Sequence, residues 1–110
     1  MHTVKMPATY AEWPVWPNEN QVGLVHLLQE MESLGILLAE RLIDMGLLDK
    51  TLGSFVTISW EKCKPLITEM RVDGGDPYLA EYFQWMAEQI AQRMEEKPRK
   101  PFYLTRKTAV

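Results

Sequence analysis

The stretch Ser54–Arg71, SFVTISWEKCKPLITEMR, decides how the rest of this chain is interpreted. Its apolar residues recur every three or four positions, which is the spacing of one face of an α-helix. The β-branched run Val56–Ile58 weakens helical propensity and leaves a strand over Phe55–Trp60 as an alternative. The longer periodicity favours the helix. Pro65 lacks an N–H and clashes with the preceding turn, so we expect a bend there or a break into two short helices.

Two further helices flank this stretch. The first is predicted over residues 21–45, where apolar residues cover more than one face, so we expect burial on more than one side. Gly46 is placed to end it, because glycine readily adopts the left-handed conformation that follows a helix. The third is predicted over residues 77–96, since Asp76 and Pro77 suit a helix start. The predicted fold class is all-α, a small bundle of three principal helices at about 21–45, 54–71 and 77–96.

Segments of different composition flank the predicted helical domain, residues 21–96. Residues 1–20 are rich in tryptophan and proline, and the two X-Pro bonds of WPVWPN predict an extended arm. Residues 97–110 predict an extended basic tail. Residues 1–96 carry all 15 acidic residues and 7 of the 12 Lys and Arg, a net charge of −8, whereas the tail carries the other five bases and no acid. The acidic body and the basic tail can therefore attract each other.

Three residues of the central helix have predicted structural roles. Trp60 is expected to anchor the packing, Pro65 to bend the helix, and Arg71 to pin its end by interacting with terminal carbonyls. Arg71 is also expected to reach an acid on the first helix, such as Glu40 or Asp44. The single cysteine suits a reducing compartment and, because it falls within the apolar periodicity, predicts a buried thiol.

The leading functional hypothesis is a non-enzymatic helical interaction module that self-associates or binds a protein partner. Aromatic and apolar residues are abundant, whereas no set of polar residues has the spacing of a catalytic site. Aromatic residues are favoured contacts because their rings bury large areas. The candidate interaction residues are Trp13, Trp16, Trp85, Phe102 and Tyr103.

Two alternatives of other classes stay open. In the first, the tail binds nucleic acid, with bases for phosphates and two rings for stacking. Its candidate contacts are Lys97, Arg99, Lys100, Arg106 and Lys107. The second is a metalloprotein or enzyme that uses His26 and Glu30, which lie one turn apart on one helix face but form only half a metal site.

The sequence predicts neither a cofactor nor a nucleophile motif, and its only paired glycines, Gly74–Gly75, lie beside acids that would repel a phosphate. The N-terminus lacks the apolar core of a signal peptide. The longest apolar run without a charge, Ser33–Ala39, is far shorter than the ~20 residues that span a bilayer. We therefore expect a soluble, cytoplasmic protein with no transmembrane segment.

From Leu34 to Met86 the chain resembles a family of uncharacterised prokaryotic helical proteins. The shared features are a leucine-rich helix that contains an acid, then a small residue with an apolar neighbour, a Trp…Pro…Arg helix and an aromatic-rich helix start. They are carried by Glu32–Asp49 (ESLGILLAERLIDMGLLD), Gly53–Phe55, Trp60, Pro65, Ile67, Arg71 and Tyr78–Phe83. The resemblance implies a helical fold and no established activity. Many relatives carry a membrane helix ahead of this region, and this sequence shows none.

Overall fold

A computed structural model describes residues 10–105 of the chain, with side chains from Trp13 to Leu104. A 3-10 helix at Tyr10–Val15 precedes the α-helices α1 (Asn18–Ala39), α2 (Met45–Asp73), α3 (Glu81–Glu96) and α4 (Phe102–Thr105). No strand occurs within residues 10–105. The structure confirms the predicted all-α fold with three principal helices, whose boundaries differ from those expected.

The first helix ends six residues earlier than predicted. Arg41, with φ 62°, takes the left-handed position expected of a glycine. The Arg41 N–H donates to the Leu38 carbonyl at 3.0 Å, and the Leu42 N–H donates to the Leu37 carbonyl at 2.9 Å. This is the hydrogen-bond pattern of a Schellman motif, which satisfies the last carbonyls of α1. Gly46 therefore does not end α1 and lies instead in the first turn of α2.

The second helix is longer than predicted and continuous. The Asp44 carboxylate accepts a hydrogen bond from the Leu47 N–H at 3.0 Å, which caps α2 nine residues before the expected start. The alternative of a strand over 55–60 is wrong, and so is the break at Pro65, because α2 runs through both. Pro65 costs about 3 kcal/mol in a helix. Its neighbours Leu66 and Ile67 are each 1% exposed, and we infer that their burial offsets this cost.

The third helix starts four residues later than predicted. The Asp76 carboxylate accepts from the Tyr78 N–H at 3.0 Å and forms a turn instead of the expected cap. Ala80 then adopts a left-handed conformation, with φ 58°, immediately before α3. Because a left-handed residue interrupts the helical path, regular helix begins only at Glu81.

The two flanking segments also contain helix. The described residues of the predicted extended arm contain the 3-10 helix and the start of α1. The Gln21 side-chain amide donates to the Trp13 carbonyl at 2.6 Å and to the Trp16 carbonyl at 3.0 Å. The tail is non-helical over residues 98–101 and then forms α4. Residues 1–9 and 106–110, which include the candidate contacts Arg106 and Lys107, lie outside the described residues.

The core lies between α3 and the other two long helices. α3 packs against both α1 and α2, whereas α1 and α2 make few direct contacts with each other. α2 and α3 are antiparallel, since Trp60 contacts Phe83 near one end and Asp49 pairs with Arg93 near the other. The most deeply buried side chains all come from these two helices: Val56, Cys63, Leu66, Ile67, Phe83, Met86 and Ile90.

α1 is long enough and apolar enough to cross a membrane, and core helices of soluble proteins can have the same length and composition. The most apolar stretch of 18 residues in α1 contains Glu30 and Glu32. The length of the longest charge-free run therefore underestimates how apolar this helix is. Only 22% of that 18-residue stretch is buried. The absence of a transmembrane segment therefore stays a prediction.

The approach of α1 to α3 depends on one glycine. A Cβ atom at Gly35 would lie 2.5 Å from the Tyr82 carbonyl oxygen, a separation that side chains essentially never adopt. The atom it would meet belongs to the backbone, so no side-chain rotation removes the clash. Gly35 therefore sets how closely the start of α3 packs on α1.

We predict that Gly35→Ala lowers the free energy of unfolding by at least the 1–3 kcal/mol that is roughly typical of overpacking. Gly23→Ala in the same helix is the matched control, because a Cβ there meets nothing within 4 Å. The control should gain about 0.5–1 kcal/mol from helix propensity. Urea denaturation followed by circular dichroism measures both changes, and equal effects of the two substitutions would contradict this packing.

Candidate interaction site

The start of α3 is capped by a side chain from α1. Ala80 occupies the N-cap position and offers no side-chain acceptor. Glu32 takes over this role, because one of its carboxylate oxygens accepts a hydrogen bond from the Phe83 N–H at 2.8 Å. A negative charge at a helix N-terminus is also favoured by the helix dipole. The contact joins residues 51 positions apart and fixes α1 against α3.

Arg71 joins the end of α2 to the same place. Its Nε donates to the Leu79 carbonyl at 2.9 Å, and its Nη1 donates to the Gln84 side-chain oxygen at 2.7 Å. The guanidinium also lies 5.9 Å from the centre of the Trp60 ring, within cation–π range. The prediction that Arg71 reaches Glu40 or Asp44 is wrong. Asp44 caps the opposite end of α2, a helix of 29 residues, and is therefore far from Arg71.

Trp60 lies beneath this cluster. Its ring meets Phe83 edge to face, with centroids 5.3 Å apart, and both side chains are buried. Glu32, Gly35, Trp60, Arg71 and Phe83 thus bring all three long helices together at one point, which we call the helix junction. Sequence reasoning assigned Trp60 and Arg71 structural roles and gave no role to Glu32 or Gly35. The available signal was an isolated glycine inside a leucine-rich helix, which often marks close packing.

A second, weaker link holds the other end of the α2–α3 pair. The Arg93 Nε lies 3.5 Å from an Asp49 carboxylate oxygen, with Asp49 9% exposed and Arg93 about half exposed. Gly53 provides the space for that carboxylate, because a Cβ there would collide with it. Asp49 lies inside α2, one turn before Gly53.

An apolar cleft of about 470 Å³ opens beside the helix junction. Its walls come from the 3-10 helix, α1, the end of α2 and the residues before α3. We call it the tryptophan cleft, because Trp13 forms one of its walls. Glu32 is the one charged residue among those that line it. The lining residues are Trp13, Val25, Leu28, Gln29, Glu32, Ser33, Met70, Leu79 and Ala80.

A second apolar depression lies between α1 and the first half of α2. It measures about 430 Å³ and is open to solvent. It lies between two helices that make few direct contacts with each other. We call it the α1/α2 groove. Its lining residues are Gln29, Glu30, Met31, Ser33, Leu34, Leu37 and Leu52.

The predicted interaction residues lie on three separate surfaces. Trp13 and Trp16 face each other with ring centroids 5.7 Å apart, and both pack against the core. Trp85, on α3, is 37% exposed. Phe102 and Tyr103, on α4, are each 73% exposed. The structure does not bring these five aromatic residues together, and only Trp13 lines one of the two depressions described above.

The candidate nucleic-acid contacts Lys97, Arg99 and Lys100 are exposed and follow directly after α3. His26 and Glu30 are both exposed on α1. Among the described residues, no group of three or more His, Cys, Asp and Glu side chains is placed to hold a metal ion. The structure therefore adds no third ligand to the His26–Glu30 pair.

A family model described as a domain of unknown function, DUF4760, matches residues 10–90. The chain belongs to this family. No curated protein and no solved structure matches the chain. The matched range of the DUF4760 domain includes the helix junction and the tryptophan cleft, and it ends before the tail. Membership agrees with the expected resemblance to an uncharacterised family and adds no activity.

Glu32→Ala in the DUF4760 domain should lower the free energy of unfolding by about 1–2 kcal/mol, because the Phe83 N–H loses its acceptor. Glu32→Gln should lose less, since the amide oxygen still accepts this hydrogen bond. Glu30→Ala is the matched control, because Glu30 is an exposed carboxylate two residues away on α1. Chemical denaturation measures all three variants, and a Glu30→Ala loss as large as that of Glu32→Ala would exclude a specific cap.

Burial raises the pKa of the Cys63 thiol from 9.0 to about 11. A thiol that holds its proton is a poor nucleophile, so we expect iodoacetamide to label Cys63 at pH 8 only after unfolding. As the pH rises above about 9, the unfolded thiol ionises before the folded one. Stability should therefore fall between pH 9 and 11. Cys63→Ala should remove that part of the pH dependence, and rapid labelling of the native protein would contradict the burial.

Proposed function

We propose that this protein is a non-enzymatic helical interaction module that acts by self-association or by binding a protein partner. The observation that carries the proposal is the exposed apolar surface of α1. The four apolar side chains Val22, Val25, Ile36 and Leu37 are each 39–45% exposed. We call them the outer face of α1.

The outer face lies opposite the buried face of the same helix. An α-helix turns about 100° per residue, so Met31 lies about 180° from Val22, whereas Ile36 lies within about 40° of Val22. Met31 is 5% exposed and contacts the core. A helix that is apolar on both sides is typical of one that is buried on both sides. Because the domain covers only one side, a second molecule is the natural cover for the other.

The first half of α2 extends this surface beyond the α1/α2 groove. Leu52, Phe55 and Ile58 are 39%, 51% and 55% exposed, and Leu52 lines the groove together with Leu37. Contiguous exposed apolar surface on a small protein marks sites of association more often than single exposed residues do. The groove and the outer face therefore suit a helical partner that packs along α1.

Charge substitutions on the outer face test the proposal. We expect wild-type protein at tens of micromolar to sediment as a species heavier than the monomer, or to retain a partner when purified from its native cell. Val22→Glu and Ile36→Glu should weaken that association at least tenfold, because each would bury a charge in an apolar contact. Circular dichroism should report an unchanged helical fold, since both side chains are already partly exposed.

Val72→Glu is the matched control, because Val72 is 77% exposed near the end of α2 and lies outside the outer face. It should associate like the wild type. A wild-type protein that is monomeric at these concentrations and retains no partner would refute the proposal. Association of Ile36→Glu at wild-type strength would also refute this choice of surface.

A further inference from the structure

The tail and the tryptophan cleft have complementary chemistry. The tail presents Tyr103 and Leu104, 73% and 64% exposed, on the short helix α4. Bases precede them in the sequence at Lys97, Arg99 and Lys100. The tryptophan cleft has apolar walls and one carboxylate, that of Glu32. A ring, a branched aliphatic side chain and an adjacent cation are therefore the groups that such a cleft would accept.

We propose that the tail of one chain docks in the tryptophan cleft of a second copy of this chain. Tyr103 and Leu104 pack against the apolar walls, and the tail bases lie near Glu32. The inference rests on the proposed function, since it names a second copy as the partner. It adds a second contact, which adjoins the outer face of α1 at Val25.

The cleft can hold the apolar part of the tail. Its volume of about 470 Å³ falls within the usual range for small-ligand sites, about 300–1,000 Å³. Trp13 supplies an aromatic wall against which a tyrosine ring can pack. One oxygen of Glu32 accepts from the Phe83 N–H. An ionised carboxylate has about four acceptor positions, so Glu32 can also receive hydrogen bonds from a lysine or arginine of the tail.

The length of the tail disfavours docking in its own cleft. Leu79 and Ala80, in the cleft wall, precede α3, whereas the tail follows the other end of that helix. With 16 residues, α3 is about 24 Å long at about 1.5 Å per residue. The five residues 97–101 span at most about 18 Å when fully extended, and the compact helix α4 adds little. Only a fully extended tail would thus bring the Tyr103 ring to its own cleft, whereas the cleft of a second molecule imposes no such limit.

Charge favours a second copy over an unrelated partner. All 15 acidic residues lie in residues 1–96, which carry a net charge of −8, and the tail carries five bases and no acid. Each chain therefore presents an acidic body to a basic tail, which favours encounter between copies. Each chain also has one tail and one cleft, so two copies can exchange tails with two-fold symmetry and leave neither unused.

The test uses a labelled peptide of residues 97–110 and a full-length tail variant, Tyr103→Asp/Leu104→Asp, whose own tail no longer competes. Fluorescence anisotropy should show saturable binding of one peptide per chain. Trp13→Ala, added to the tail variant, should weaken binding at least tenfold, because it removes a wall of the cleft. Trp85→Ala is the matched control, since it removes an indole on α3 that does not line the cleft. Its binding should be unchanged.

Gln29→Lys is a second cleft variant that preserves the fold, since Gln29 is exposed and lines the cleft. Gln29 also lines the α1/α2 groove, so the effect of this variant is measured on peptide binding and not on dimerisation. This substitution places a positive charge in the cleft. Because that charge repels the basic tail, the variant should also bind the peptide more weakly. Mixing full-length Trp13→Ala protein with the tail variant should restore a heterodimer, because one intact cleft then meets one intact tail. The dimer of the tail variant alone should dissociate at a higher protein concentration than the wild-type dimer does.

Ile36→Glu separates this inference from the proposed function. It lies outside the cleft and should leave peptide binding intact even where it abolishes association through the outer face. Failure of the tail variant to bind the peptide would overturn the inference. Peptide binding that neither Trp13→Ala nor Gln29→Lys weakens would also overturn it. So would a tail peptide that binds single-stranded RNA and does not bind the protein. If the wild type is a monomer and does not bind the peptide, the tail occupies its own cleft, and the inference is also overturned.

Discussion

The first turn of α3 lies against the backbone of α1, and the positions of the other elements depend on this contact. Gly35 leaves room for the Tyr82 carbonyl, and Glu32 accepts the hydrogen bond of the Phe83 N–H. The first N–H groups of a helix have no partner within the helix, so an acceptor must come from elsewhere. Because α1 supplies that acceptor, the start of α3 is fixed at one position along α1.

The remaining contacts of the helix junction follow from that starting point. Arg71 holds the Leu79 carbonyl just before the left-handed Ala80, and Trp60 packs beneath it against Phe83. With the start of α3 held by both neighbours, α3 fills the space between α1 and α2. Those two helices make few direct contacts with each other, and the α1/α2 groove lies open between them.

The two proposed contact surfaces adjoin at Val25, which belongs to the outer face of α1 and also lines the tryptophan cleft. The outer face of α1 points away from α3, because its residues lie opposite the buried ones on that helix. The tryptophan cleft is at the end of the bundle where the 3-10 helix, α2 and the start of α3 meet. The tail leaves from the other end of α3 and presents exposed apolar side chains there. The proposed tail contact therefore joins the two opposite ends of α3 in different copies of the chain.

Periodicity was sufficient to predict three long helices, because burying one face of each is the dominant local requirement. Helix ends were harder to predict, since several residues compete for each capping position. Gly46 was a good candidate to end α1, but a Schellman motif at Arg41 ends it and the Asp44 carboxylate caps α2. Pro65 was expected to bend or break the second helix; α2 is continuous through it, which we attribute to the burial of Leu66 and Ile67.

The amino-acid sequence by itself determined the helical class, the number of long helices, the buried Cys63 and the division into an acidic body and a basic tail. These properties depend on composition and on neighbours within one or two turns. Only the tertiary structure decided the roles of Glu32 and Gly35, the partners of Arg71 and the place of the tryptophan cleft. Each of these joins residues that are distant in the chain, and such contacts depend on the height and rotation at which whole helices pack.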